Sequence, residues 1–146
     1  GQGWMIHYSP AAEQIAKNGF QKGVTMQDAD MLTQTMGGSG EPGFNYAFNT
    51  EHPSPTWKGG KAVVFPGHFL NVYHGRNNDN YVLFDGTEVP TEQIFPILHE
   101  REGDKRGWSV YDASGRKIVD KMPIKDVIEW VKTNHGMLQD VKQKNQ

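Results

Sequence analysis

Seventeen glycines and eight prolines break these 146 residues into short pieces, so the chain must be built from brief helices and strands joined by turns. No cysteine is present to staple those pieces together, which excludes disulfides, thiolate zinc sites and a cysteine nucleophile in the sequence as given. Stability must come from apolar burial. Only 36% of residues are hydrophobic, but the 11% that are aromatic supply large areas each. The length suits a single domain spanning 1–146. With 15 Lys+Arg against 17 Asp+Glu, the net charge of -2 does not give the basic surface of a general duplex binder. No run approaches the roughly 18 apolar residues of a membrane span. The first residue is Gly and no signal peptide is visible, so the start reads as a processed end, a cloning remnant or a cut from a longer polypeptide.

The punctuation predicts helices first and strands afterwards. Trp4 to Tyr8 reads as a short strand. Ser9 before Pro10 is an N-cap signature for a helix from Pro10 to about Asn18, stopped by Gly19. Thr25 caps a second predicted helix, to about Met36. The polar stretch from Gly37 to Gly60 carries Phe44, Tyr46, Phe48 and Trp57, too many rings for a plain linker, and predicts an ordered loop with a short strand inside. Strands follow at Lys61–Phe65, His68–His74, Tyr81–Phe84, Ile94–Leu98, Trp108–Tyr111 and Lys117–Val119. Pro123 opens a last helix to about Thr133, and Lys142–Gln146 reads as a fraying tail. Such an order is α+β with mostly antiparallel strands.

Three segments could carry chemistry. In Ile6-His7-Tyr8-Ser9-Pro10, His7 and Ser9 fall on one strand face just before a helix whose first N–H groups are free. In Gly43-Phe44-Asn45-Tyr46-Ala47-Phe48, followed by Trp57, aromatics on adjoining elements could sandwich a flat heterocycle, or simply be core. The stretch Asp79-Asn80-Tyr81-Val82-Leu83-Phe84-Asp85-Gly86-Thr87-Glu88 puts polar groups at the start of a strand and a tight turn at its end, which fits a site rim or two ordinary turns.

Taken in order, these segments resemble the NAD-binding core of the ADP-ribosyltransferases of the diphtheria-toxin and poly(ADP-ribose) polymerase type. The His-x-Ser strand and its helix, the Gly…Tyr strand, and the strand Tyr-apolar-apolar-aromatic-Asp with its Gln-Ile exit at Gln93-Ile94 carry the likeness, from about residue 5 to about residue 98. The final strands and helix are similar to those of interbacterial type VI secretion effector toxins of that fold. The resemblance implies split antiparallel β-sheets with a few peripheral helices. It implies an enzyme that transfers ADP-ribose from NAD, as substrate, to a protein or nucleic-acid acceptor or to water. It also implies a secreted effector acting in the cytoplasm of a target cell, a cognate immunity protein, and no membrane insertion. Carried across, His7 and Ser9 hold the adenosine ribose with Tyr8 between them, Tyr46 stacks on nicotinamide and Trp57 forms the other wall. Asn80 stands where active members usually place the catalytic Glu. An amide can hydrogen-bond the sugar but supplies no charge, a loss of several kcal/mol of transition-state stabilisation. Either Asn80 orients the sugar by itself, or Asp79 or Glu88 supplies the carboxylate, or the chain binds without catalysing.

Rival readings exist. Gly67-His68 followed by Phe84-Asp85 resembles the His…Asp half of a papain-like protease or deamidase, which would need its thiolate restored. His68, His74 and Arg76 could serve an RNA-cleaving toxin. A non-catalytic interaction domain is the third. The histidines at 7, 52, 68, 74, 99 and 135 show no ligand spacing, so no metal is expected.

Overall fold

The computed structural model describes residues 1–20, 45–50, 60–69, 72–74, 80–112 and 114–144. The predicted helix from Thr25, as well as Trp57, Arg76 and Asp79, lies outside the described residues. Among the described residues there are eight strands: β1 (Gln2–Tyr8), β2 (Asn45–Asn49), β3 (Lys61–His68), β4 (Val72–His74), β5 (Asn80–Phe84), β6 (Phe95–Glu102), β7 (Lys105–Tyr111) and β8 (Lys117–Met122). They form one sheet in the order β4-β5-β2-β1-β3-β6-β7-β8, and each of its ladders is antiparallel. Among the described residues there are two α-helices, α1 (Ala12–Asn18) and α2 (Ile124–Lys144), which give an α+β architecture.

Alternation along the strands divides the core in two. Successive side chains on a strand point to opposite faces, so Met5, Val63, Phe65, Ala47, Val82 and Phe84 gather on one face, under Ala12 and Ala16 of α1 and under Phe20. Ile6, Tyr8, Phe48, Val64, Ile97, Trp108 and Val110 gather on the other, under Val127, Ile128 and Val131 of α2. Burial on both faces explains the near-continuous apolar run Ala62–Phe65, each residue of which has no exposed surface.

Several boundaries differ from the sequence-based expectation. α1 starts at Ala12, not Pro10, with Ala11 rather than Ser9 at the N-cap; Ser9 makes a turn ahead of it, its hydroxyl accepting from the Ala11 N–H at 3.1 Å and its carbonyl from the Ala12 N–H at 3.2 Å. Gly19 then ends the helix at φ +89°, with its N–H on the Ile15 carbonyl at 2.8 Å. β3 runs through Pro66 to His68, where a separate strand was expected to begin at His68. The ladder from β3 to β6 ends at the Val64–Phe95 pair, so Pro66 lies where β3 pairs with β1 alone, a position that tolerates the missing N–H. β6 and β7 reach further than expected because Gly103, at φ +62°, turns the chain directly between the paired Glu102 and Lys105. α2 continues to Lys144, past Gly136; one glycine inside a helix costs only about 1 kcal/mol.

At the far end of the sheet β8 presses onto β7. The ladder is irregular between Trp108 and Tyr111, and Lys121 takes the left-handed region at φ 48°. A Cβ on Gly107 would stand 2.4 Å from the Lys121 carbonyl carbon and 2.6 Å from its oxygen. Backbone, not a movable side chain, fills that space. Gly107→Ala is therefore expected to lower stability by about 2 kcal/mol, in the range of an overpacked core, read as a lower urea midpoint. An unchanged midpoint would show that the bulge yields freely.

Candidate functional site

β1 lies at the centre of the sheet, and its two neighbours treat it differently. It pairs with β3 along its whole length, from Gln2–His68 to Tyr8–Ala62. It pairs with β2 only through Met5–Asn49 and Ile6–Phe48. The β1–β2 register ends at the Ile6–Phe48 pair, and just past it the His7 side chain reaches the β2 backbone. Its Nδ1 lies 2.6 Å from the Tyr46 carbonyl oxygen, 39 residues away in sequence. A carbonyl only accepts, so Nδ1 carries the proton and, in the neutral ring, Nε2 carries the lone pair.

Rings close around this imidazole. Tyr46 and Phe20 each meet it edge-on with centroids 5.5 Å away, and Phe84 does so at 6.4 Å. Residue 7 is partly buried, with these three rings packed edge-on against its imidazole. Burial depresses its pKa from the usual 6.5, and the bond to the Tyr46 carbonyl offsets this only in part. Burial likewise raises the Tyr46 phenol, which stays protonated at neutral pH.

The other expected site residues fall as follows. Tyr8 is buried on the opposite face, its ring 5.9 Å from Phe48 and 6.0 Å from Trp108. Ser9 follows His7 directly, with its hydroxyl on the Ala11 N–H and its own N–H on the Lys61 carbonyl at 3.1 Å. The Ala11 and Ala12 amides at the start of α1 are thus both satisfied by Ser9. Asn80 opens β5 opposite His74, three register positions from Leu83, which pairs with Tyr46. Along a strand that is about 10 Å. The structure thus brings His7 and Tyr46 together and places Asn80 on the same sheet further along the neighbouring strand.

Glu88 sits elsewhere, in a turn of 3-10 helix at Gly86–Glu88. Asp85 caps that turn, accepting from the Thr87 N–H at 3.0 Å and its hydroxyl at 2.6 Å. Asp85 and Glu88 line a hollow of about 190 Å³ together with His68, Gln2 and Gln93. The two residues singled out for the papain-like reading therefore share one depression, remote in register from His7: Gln2 pairs with His68, whereas His7 pairs with Val63. Among the described residues no group of three His, Asp or Glu side chains is placed to hold a metal ion.

Sequence reading missed Phe20 and Phe84 beside His7, and Asn45 beside Gly86. Phe20 directly follows the Gly19 helix stop, a position fixed by the turn, and that was the available signal. Asn45 gave none: its side-chain oxygen accepts from the Gly86 N–H at 3.3 Å, a contact across 41 residues. No family model, no curated protein and no solved structure matches this chain.

The depressed His7 has a consequence for stability. The unfolded chain binds a proton near pH 6.5, whereas the folded chain resists it until a lower pH. Above 6.5 the two states hold equal numbers of protons at this site; as pH falls below 6.5 the unfolded state gains protons first and stability drops. Urea unfolding between pH 7.5 and 5 is expected to show this loss, and His7→Gln to flatten it. A slope that is the same in both proteins would place the titration elsewhere.

Proposed function

We propose that the chain is an ADP-ribosyltransferase-like toxin domain that binds NAD between its β1 and β2 segments and cleaves the bond to nicotinamide. The observation that carries this reading is the meeting of His7 and Tyr46, rings 5.5 Å apart, just past the point where the β1–β2 register ends. Two motif segments far apart in sequence thus converge, as a dinucleotide cradle requires. The sheet order supports the reading too, with β2, β5 and β4 to one side of β1 and β3, β6, β7 and β8 to the other. The described strands form one eight-stranded antiparallel sheet, where the resemblance implies split sheets.

In this reading the enclosed His7 acts as a neutral group. Its Nε2 lone pair accepts a ribose hydroxyl, and it brings no positive charge to a phosphate. Tyr46 offers an aromatic face to nicotinamide, and Trp57 remains the proposed second wall. Asn80 orients the nicotinamide ribose. Cleavage passes through a cation-like ribose with nicotinamide as leaving group, and the acceptor hydroxyl, side chain or water attacks the anomeric carbon. Without a carboxylate at 80 this cation is stabilised less, so turnover is slow. The acceptor is a macromolecule or water, a cognate immunity protein blocks the cleft, and the domain acts after delivery into a target cell.

The hollow shared by His68 and Asp85 favours a second reading, acid–base hydrolysis. It has no cysteine to complete it.

Calorimetric titration with NAD is expected to give saturable binding that weakens at least tenfold, about 1.4 kcal/mol, in Tyr46→Ala and His7→Ala. Nicotinamide release is expected to rise in Asn80→Glu, because the carboxylate restores the missing charge. A flat titration of the folded wild-type chain would remove the reading.

A further inference from the structure

The His7 ring is held before any ligand arrives, and its holder lies outside the recognised motif positions. Phe20 is 8% exposed and packs 4.9 Å from both Phe65 and Phe84, so the chain after α1 is pinned into the core by this ring. From there it meets the His7 imidazole edge-on at 5.5 Å. The seat for Phe20 is cut by Gly86. A Cβ at 86 would stand 2.4 Å from the Phe20 Cβ and 2.6 Å from the Asn45 Oδ1. The Gly86 N–H donates to that same Oδ1 at 3.3 Å. The Asp85-Gly86 turn of the third segment, Asn45 of the second and Phe20 at the end of the first thus lock around His7.

We propose that Phe20, seated by the side-chain-free Gly86, is a positioning residue that fixes the His7 imidazole with Nδ1–H on the Tyr46 carbonyl and Nε2 as the acceptor. The ligand that Nε2 serves rests on the NAD reading; the fixing of the ring does not. The groups that face the imidazole are Phe20 from the chain after α1, Phe84 from β5 and Tyr46 from β2. Only the Tyr46 phenol among them titrates, and among the described residues no carboxylate or ammonium acts on the ring. Loosening Phe20 therefore changes the ring's freedom and its access to water, not its charged neighbours.

The test is long-range proton–nitrogen NMR of the histidine rings in the whole chain across a pH series, for wild type, Phe20→Leu and Gly86→Ala. Phe20→Leu keeps apolar bulk and removes the ring. Gly86→Ala keeps the ring and displaces its seat. Wild-type His7 is expected in the single Nδ1–H form with contacts between its ring protons and those of Phe20. Both variants are expected to show mixed tautomers and a titration midpoint moved up toward the ordinary histidine value, with Trp108 and Val127 signals on the opposite face unchanged. NAD affinity is expected to fall about tenfold in each. Variants that stay folded and keep the wild-type tautomer and midpoint would overturn the proposal. So would a wild-type chain without Phe20–His7 ring contacts, a result that stands even if a variant fails to fold. Absence of NAD binding with these ring signals as expected would overturn the functional reading and leave the positioning role in place.

Discussion

One hydrogen bond organises the centre of this sheet: the His7 imidazole on the Tyr46 carbonyl at 2.6 Å. It stands where backbone pairing between β1 and β2 has stopped, and it satisfies a carbonyl that the shortened ladder leaves over. An enclosed polar contact of this kind is costly to leave half made. It therefore holds the strands at a fixed separation and holds the imidazole in one tautomer. Everything argued about the site follows from that: a neutral ring, an acceptor nitrogen, and a phenol ring beside it.

The surroundings serve the same end. α1 is short, and Ser9 accepts from the Ala11 and Ala12 N–H groups at its start. Its contribution is to cover the sheet with Ala12 and Ala16 and to deliver Phe20 onto His7. The opposite face is closed by α2, and Tyr46 is partly buried against the apolar cluster on that side. The outer strands β6 to β8 carry a charged surface in which Glu100 is held at about 2 by the Ser109 hydroxyl first, then Tyr111 and Lys117. These pairs lie on β6 to β8, apart from His7.

Much of the strand pattern was legible in the sequence because glycine, proline and alternating apolar residues have local meaning. The α+β class, β1, the strand hidden in the aromatic stretch and the Gly19 stop all came from such signals. The ends of elements were not legible. Nothing local to Pro66 tells that β3 has lost one neighbour there, and nothing local to Gly136 tells that α2 continues. The site divides in the same way. The pairing of His7 with Tyr46 was reached through motif order, since no spacing rule connects residues 39 apart. Tyr8, placed beside the ribose by that same order, turns into the opposite core by strand alternation. The fit of Phe20 to the Gly86 turn was not legible because it joins distant segments.

The claim on which the account stands is that a dinucleotide enters where the β1–β2 register ends. The most direct measurement is amide chemical-shift mapping of the labelled whole chain as NAD is added. The account expects saturable changes centred on residues 7–12 and 45–47. Changes confined to residues 66–68 and 85–93, around the hollow of His68 and Asp85, would contradict it.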